Sequence, residues 1–146
     1  MKKNLLLVTG LTVLILSGCD RYPVTLNDRE LYRPAALFSD YQLLDISLKA
    51  CVQQTINDQK IVRAEQLTVL VCTYAGIETL TGLGRFTQLE TINLANNSLG
   101  NIKPLLFFGQ LKQVDLTGNP DLDCKDVESL EELLPIKPTT GEKCLD

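Results

Sequence analysis

The sequence predicts an α/β solenoid: a short coil of about two and a half repeats, with parallel strands stacked on one side and a helical cap at each end. Three observations predict it. Apolar residues recur every 22 residues from Leu67, apolar residues at helical spacing lie on both sides of this array, and one pair of cysteines lies toward each end.

Residues 1–18 have the layout of a secretory leader, with Lys2 and Lys3 ahead of an apolar run that begins at Leu5. A membrane-spanning helix needs about 20 apolar residues, and this run is shorter and breaks at Ser17. We therefore expect residues 1–18 to be removed as a signal peptide.

The stretch "LSGC", residues 16–19, resembles the lipobox of bacterial lipoproteins, whose Cys becomes the lipidated first residue of the mature chain. The resemblance implies that Cys19 carries a diacylglycerol thioether and an acylated amine. Several acyl chains, at about 0.8 kcal/mol per buried CH₂, anchor a protein firmly to a membrane. We expect a lipid-anchored protein of the bacterial cell envelope that faces the periplasm. In enterobacterial lipoproteins an Asp after the lipidated Cys favours the inner membrane, and Asp20 stands there. The alternative is a plain secretory leader with a chance Cys.

Without the leader the chain has 128 residues, which is one domain by length. Its 12 basic residues face 18 acidic ones, a formal charge of −6. Such a surface repels phosphate backbones, and no cluster of Lys and Arg offsets the repulsion. Nucleic acid is not expected as a partner, and we expect the protein to be a monomer.

Residues 19–38 are predicted to be the lipidated Cys and a linker, because they show no sustained apolar period and contain two prolines. A flexible chain of this length has an end-to-end distance of roughly 25 Å. The alternative is an ordered strap along the following helix, supported by Leu31, Tyr32, Leu37 and Phe38.

Residues 39–66 are predicted to form the N-terminal cap. Ser39 or Asp40 is the expected N-cap of its helix. Apolar residues follow at helical spacing, and these are Leu44, Leu48, Cys51, Val52 and Ile56.

The repeats are predicted to span residues 67–122. Seven positions are apolar in each of the first two units. In the first unit they are Leu67, Leu70, Cys72, Ile77, Leu80, Leu83 and Phe86; in the second they are Leu89, Ile92, Leu94, Leu99, Ile102, Leu105 and Phe108. A third unit begins at Leu111 with Val114, Leu116 and Asn119, and it departs from the pattern at Asp121.

Leu89 to Leu99 reads L-x-x-I-x-L-x-x-N-x-L, which is the leucine-rich repeat signature. Its first half alternates with period two, so Ile92 and Leu94 point inward from a short strand. Asn97 comes where the chain leaves the strand, and we expect its amide to bond the backbone of the turn and of the adjacent unit. Asn119 holds the same place in the third unit.

The array resembles the 22-residue repeats of the bacterial internalin type over about residues 40–122. The return half of those repeats is matched by "NIKPLLFFGQL", and "IETLTGLGRF" is similar to their first unit, which lacks the Asn. The resemblance implies a capping helix that leads into the first repeat. It is specific for fold and names no ligand.

Residues 123–146 are predicted to form the C-terminal cap. Asp123 is the expected N-cap of a helix that ends before Pro135. Its apolar face is predicted to consist of Val127, Leu130, Leu133 and Leu134.

Four cysteines remain beside Cys19, and an exported chain with an even number of thiols is expected to oxidise them. Three pairings exist on paper, and one bridge at each cap predicts Cys51–Cys72 and Cys124–Cys144. Each closes a loop of about 20 residues, worth roughly 3 kcal/mol. The alternative for Cys72, which occupies an inward position, is a buried free thiol.

The chain has no His, so a Ser or Cys triad lacks its usual base and the common metal sites lack their usual ligand. We expect no catalytic residues, no metal and no cofactor. The remaining candidate is a protein-binding surface on the outward side of the strands. Its predicted residues are Val69, Val71, Thr73, Tyr74, Thr91, Asn93, Ala95, Gln113, Asp115 and Thr117.

Tyr74 is the expected anchor of this surface, because Tyr is enriched among the residues that dominate binding energy. Leu106 and Phe107 are expected to fill the return side, with exposure of Phe107 to a partner or to lipid as the alternative.

The leading hypothesis is a membrane-anchored envelope lipoprotein that binds an unidentified protein, as an accessory or assembly factor of an envelope complex. The alternatives are a structural envelope lipoprotein with no dedicated partner and a thiol-dependent activity.

Overall fold

The computed structural model describes residues 23–144, and the chain divides between Ala35 and Ala36 into two compact units. The predicted signal peptide, Cys19 and Asp20 lie outside the described residues. Within residues 23–144, neither helix has the length and apolar content to cross a bilayer.

The first unit contains an antiparallel hairpin where the sequence predicted a linker. Strand β1 is Val24–Leu26 and strand β2 is Arg29–Tyr32. The turn between them places Asn27 and Asp28 at φ values of 49° and 61°, and a two-residue turn of this kind requires two left-handed residues. Asn and Asp tolerate that conformation better than other residues with a side chain.

The second unit begins with a segment that packs on the core, followed by helix α1, Ile46–Gln59. Leu37 and Phe38 pack against the core, so this part of the predicted linker belongs to the cap. Leu31 and Tyr32, the other two residues expected to support a strap, lie exposed in the hairpin.

Helix α1 begins later than the sequence predicted, with Asp45 as its N-cap in place of Ser39 or Asp40. One carboxylate oxygen of Asp45 accepts a hydrogen bond from the Leu48 N–H at 2.9 Å. Leu44 therefore precedes the helix and is exposed, whereas Leu48, Val52 and Ile56 are buried as predicted.

Three parallel strands follow at intervals of 22 residues. They are β3, Val69–Val71, β4, Thr91–Asn93, and β5, Gln113–Asp115, paired in the order β3-β4-β5. Leu70 pairs with Ile92, and Ile92 pairs with Val114. The return segments contain short 3₁₀ helices at Leu83–Arg85 and Lys103–Phe107. All seven apolar positions predicted to face inward are buried in each of the first two units.

Two buried asparagines connect neighbouring units. The side-chain oxygen of Asn97 accepts from the N–H groups of Ala75 and Ile77 at 3.1 and 3.0 Å, and its amide nitrogen donates to the carbonyl of Cys72 at 2.7 Å. Asn119 repeats the arrangement one unit on, accepting from the N–H of Leu99 at 3.1 Å. The side chains thereby satisfy backbone groups that the turns would otherwise bury without partners.

The C-terminal cap contains helix α2, Cys124–Leu133, with Asp123 as its N-cap. Val127 and Leu130 are buried and Leu134 packs on the core, but Leu133 is exposed, contrary to the prediction. The tail after α2 was not predicted to pair with the sheet, but Thr139 donates to the Val114 carbonyl of β5 at 2.9 Å and accepts from the N–H of Leu116, just after β5, at 2.7 Å.

One disulfide bond joins the N-terminal cap to the first repeat, and a second joins helix α2 to the tail within the C-terminal cap. Cys51 of α1 is bonded to Cys72, and Cys124 of α2 is bonded to Cys144. This is the pairing that the sequence predicts, and Cys72 is therefore not a free thiol in the structure.

Candidate functional site

The strand face consists of the side chains of β3, β4, β5 and the residues just after them that point away from the core. Its character changes across the sheet. Val69 and Val71 of β3 are 42% and 56% exposed. The equivalent residues of β4 are the half-buried Thr91 and Asn93. The apolar part of the face therefore lies on its first strand.

The residues after the strands are less uniform than predicted. Thr73 is exposed and Thr117 is half-buried, and Gln113, the first residue of β5, is exposed. Ala95 is only 7% exposed, so its place among the predicted binding residues is wrong. Its position between the neighbouring turns leaves the small side chain covered.

Asn93 of β4 and Asp115 of β5 are engaged in hydrogen bonds within the sheet. Asn93 accepts from the N–H of Ala95 at 3.0 Å, and Asp115 accepts from the N–H of Thr117 at 3.0 Å. Asn93 also donates to the Asp115 carboxylate at 3.3 Å. These contacts fix the turns after the strands. They leave these two side chains with less capacity for a ligand than their residue types suggested.

Tyr74 follows β3 and is 79% exposed. Its φ is 53°, in the left-handed region, and the two equivalent residues of the later units are Asn96 at 58° and Gly118 at 71°. The repeat geometry requires this conformation, because the N–H of Tyr74 donates to the carbonyl of Ala95 at 3.1 Å and that of Asn96 donates to Thr117 at 2.7 Å. Asn and Gly adopt it at low cost, whereas a bulky residue does so rarely.

Val69, Val71 and Tyr74 together form what we call the β3 patch. Its strand is held rigidly, since Cys51 is bonded to Cys72 and its sulfur lies 3.3 Å from the carbonyl oxygen of Val71. A rigid surface loses little conformational entropy when a partner binds. The β3 patch thus combines apolar area, an exposed Tyr and a fixed backbone.

The charges beside the strand face are mostly compensated. Lys112 and Glu90, which precede β5 and β4, form an ion pair of 2.7 Å. Asp115 carries the remaining charge of the face. Electrostatic attraction to a strongly charged ligand is therefore not the main feature of this surface.

The return side carries a separate exposed side chain. Phe107 is 86% exposed, whereas its neighbour Phe108 is 8% exposed and Leu106 is half-buried. The expectation that Phe107 fills the interior is wrong. The five-residue 3₁₀ helix Lys103–Phe107 turns its last side chain outward.

An aromatic cluster ties the cap segment to the first return segment. Phe38, Tyr41 and Phe86 lie with ring centroids 5.4 to 6.0 Å apart, and the guanidinium of Arg85 lies 5.2 Å from the Phe38 ring. Partial burial raises the pKa of the Tyr41 hydroxyl above its usual range. The rings serve packing, since Phe86 is fully buried.

Side chains that could bind a metal ion are not grouped in the described part of the chain. Over residues 23–144, no set of three His, Cys, Asp or Glu side chains is arranged to hold a metal ion. A cavity of about 340 Å³ lies beside Gly118 and Leu122 and is bounded by Gly141 and Cys144. No buried side-chain polar atom of the described residues lacks a hydrogen-bond partner.

The sequence analysis missed one exposed apolar surface, on the hairpin. Val24, Leu26, Leu31 and Tyr32 are 49% to 62% exposed. The sequence signal for this hairpin is "VTLNDRELY", residues 24–32, in which Asn27 and Asp28 separate two short segments with apolar residues. It is a weak signal, because the turn lacks the Gly that marks most such hairpins.

No protein-family model matches the chain, and no curated protein matches it. Among solved structures, internalin C2 from Listeria monocytogenes is similar, with a TM-score of 0.51 and 17% identity over 61% of this chain and 42% of that one. An internalin (inlF) from the same organism has a TM-score of 0.51 and 20% identity over 66% of this chain and 31% of that one. The chain spans less than half the length of either protein. At this identity the likeness shows the fold alone, which is an internalin-like leucine-rich repeat fold.

Proposed function

We propose that this protein is an envelope lipoprotein, anchored through Cys19, that binds another protein through the β3 patch as an accessory or assembly factor of an envelope complex. The leucine-rich repeats form a short solenoid in this proposal, and the caps close its ends. The inner membrane is the proposed location, because Asp20 follows Cys19.

The observation that carries the proposal is the exposure of Val69 and Val71 on strand β3 and of Tyr74 just after it. An apolar surface next to an exposed Tyr supplies buried area and an aromatic contact when a partner covers it. The residue type at position 74 supports the same reading, since the repeat imposes a left-handed conformation that Asn96 and Gly118 adopt at lower cost, and a Tyr at this position is not explained by the fold.

The test places a photoreactive amino acid at Thr73, which is exposed between Val71 and Tyr74. Irradiation of the lipidated protein in cells is expected to give an adduct of discrete mass. Val71→Glu introduces a charge into the apolar patch and is expected to abolish that adduct.

Phe107→Glu is the matched control, because it makes the same kind of change at an exposed apolar residue of the return side. The adduct is expected to persist in this variant. If the adduct also forms in the Val71→Glu variant, the β3 patch is not the binding surface. Loss with Phe107→Glu alone would move the site to the return side. If no adduct forms at Thr73 in any variant, the protein is a structural lipoprotein without a dedicated partner.

A thiol-dependent activity has no support in the structure, because Cys51, Cys72, Cys124 and Cys144 are all bonded in pairs.

A further inference from the structure

We infer that the β1–β2 hairpin binds the lipid surface, with its apolar side chains in the interfacial layer of the bilayer. The inference rests on the lipid anchor of the proposed function, and it adds a second membrane contact made by the protein chain itself. It concerns residues other than those of the β3 patch.

The hairpin exposes more apolar area than its size explains. Val24 and Leu26 of β1 are 49% and 61% exposed, and Leu31 and Tyr32 of β2 are 62% and 52% exposed. Every residue of the two strands is exposed. A two-stranded hairpin alone in water is marginally stable at best and gains stability when an apolar face is covered. The hairpin therefore needs a surface on which to bury these side chains.

The anchor determines which surface is nearest. Val24 follows Cys19 by five residues, and five residues of fully extended chain span at most about 18 Å. The glycerol of a lipidated Cys lies at the boundary between headgroups and acyl chains. The hairpin is thus held within reach of the headgroup layer at all times, at a high effective concentration.

The net charge of the hairpin is more compatible with a lipid surface than the net charge of residues 36–144. Arg29 and Arg33 balance Asp28 and Glu30, and Arg33 is paired with Glu30 by hydrogen bonds of 2.6 and 2.8 Å. Residues 36–144 instead carry 14 acidic and 9 basic residues. Phospholipid surfaces that are anionic repel the acidic part, whereas the neutral hairpin meets no such barrier.

The residue types also fit the interfacial layer. Tyr is enriched there, because its ring lies among the acyl chains while its hydroxyl stays hydrated. In this location the aliphatic part of the Arg29 side chain would lie among apolar groups, and its guanidinium would extend to the lipid headgroups. Pairing of Val24 with Tyr32 brings an aliphatic and an aromatic side chain to one end of the hairpin.

The absence of Trp from the sequence makes a direct test available. Leu31→Trp places the only tryptophan of the chain in the hairpin, and Val71→Trp places the only one in the β3 patch. Each lipidated full-length variant is reconstituted into phosphatidylethanolamine–phosphatidylglycerol vesicles, with and without lipids brominated on their acyl chains. Leu31→Trp is expected to lose most of its emission in brominated vesicles and to be shielded from acrylamide. Val71→Trp is expected to be quenched by acrylamide and insensitive to bromine.

Leu26→Trp serves as a second reporter in case the first substitution disturbs the hairpin, and the same quenching by bromine is expected. If both hairpin tryptophans are quenched by acrylamide and not by brominated lipid, the inference is overturned. Shielding from acrylamide without bromine quenching would also overturn it, and would assign the hairpin to the protein surface or to a second copy.

Flotation of the vesicles distinguishes this failure from failure of the proposed anchor. If the variants float with the vesicles but brominated lipid does not quench the hairpin tryptophans, the lipid anchor is supported and the hairpin contact is rejected. If the variants do not float, the anchor and the hairpin contact are rejected together, whereas protein binding through the β3 patch is unaffected.

Discussion

Asn97 shows at the scale of one residue how the repeat is held. Its buried amide joins the backbone of two units through both of its polar atoms. Asn97→Ala leaves two N–H groups and three carbonyls without this partner, so we expect the free energy of unfolding to fall by about 3 kcal/mol. Urea denaturation measures the change. Asn101→Ala removes a single exposed bond, to the N–H of Lys103, and should cost less than about 1 kcal/mol; equal losses for the two variants would contradict this role of Asn97.

Tyr74 is expected to oppose stability while serving binding. Tyr74→Asn installs the residue type that Asn96 provides at the equivalent left-handed position. Relief of the conformational cost should raise the free energy of unfolding by about 1 kcal/mol. The same variant should weaken the Thr73 photo-adduct. A lower thermal midpoint for Tyr74→Asn would show that the Tyr side chain stabilises the fold instead.

Single side chains could be predicted from the sequence where the repeat fixes them. The inward positions and Asn97 follow from the period of 22 residues, since each is set by the backbone of its own unit. Exposure of Ala95 and Phe107 depends on how closely neighbouring turns approach, and the sequence pattern contains no measure of that distance. The apolar character of the β3 patch was predictable, but the conformation of Tyr74 was not.

At the scale of elements, Asp45 connects helix α1 to the first return segment. One oxygen caps the helix, and the other accepts from the N–H groups of Glu78 and Thr79 at 2.8 and 3.2 Å. Partial burial alone would raise the pKa of this carboxyl, but the backbone donors outweigh burial and lower the pKa below its usual range. The ionised form is thus bound more strongly in the folded protein than in the unfolded chain.

Because the folded pKa is the lower one, this contribution to stability is present above the unfolded value and is lost as the pH falls through the folded value. Asp45→Ala should cost about 2 kcal/mol at pH 7, and the gap from the parent protein should narrow below about pH 4. Urea denaturation of both proteins from pH 7 to below about pH 4 measures this difference in stability. Asp58→Ala, at an exposed position of the same helix, should change stability by less than about 0.5 kcal/mol. A gap for Asp45→Ala that is independent of pH would contradict the assignment.

Gly82 and Gly84 lie close together in the sequence, but only Gly82 is needed for close packing. A methyl group on Gly82 would overlap the backbone carbonyl of Gln42, and Gly82 has a φ of 95°. Gly84 has no atom within 4 Å of such a methyl group. Gly82→Ala should cost about 3 kcal/mol, whereas Gly84→Ala should stay within about 0.5 kcal/mol of the parent. Similar thermal midpoints for the two variants would mean that the cap segment does not lie against Gly82.

The sequence indicated both helices and all three repeat strands, because each has its own apolar period. It misplaced the start of α1, since Ser39, Asp40 and Asp45 are all good N-caps and only contact with Glu78 and Thr79 selects the last. It missed the hairpin, whose two strands bury nothing within residues 23–35 and so have no core pattern. It also missed the pairing of Thr139 with β5, which depends on where the disulfide Cys124–Cys144 holds the tail.

At the scale of the whole molecule, the second unit has few repeats, and a disulfide bond stabilises each of its caps. Each terminal unit would expose an apolar face without its cap, and each cap is held by a disulfide bond that closes a loop of 20 or 21 residues. Such loops contribute about 3 kcal/mol each in the chain-entropy estimate. For a small domain this is a large share of the net stability.

The most direct test of the whole account is the register of the sheet, because the β3 patch exists only if the strands are parallel and offset by 22 residues. Nuclear Overhauser contacts in a sample labelled with ¹⁵N and ¹³C measure that register. We predict cross-strand contacts linking Leu70 to Ile92 and Ile92 to Val114, in the parallel pattern. Antiparallel contacts between these segments, or helical contacts within residues 67–74 and 89–96, would contradict the account.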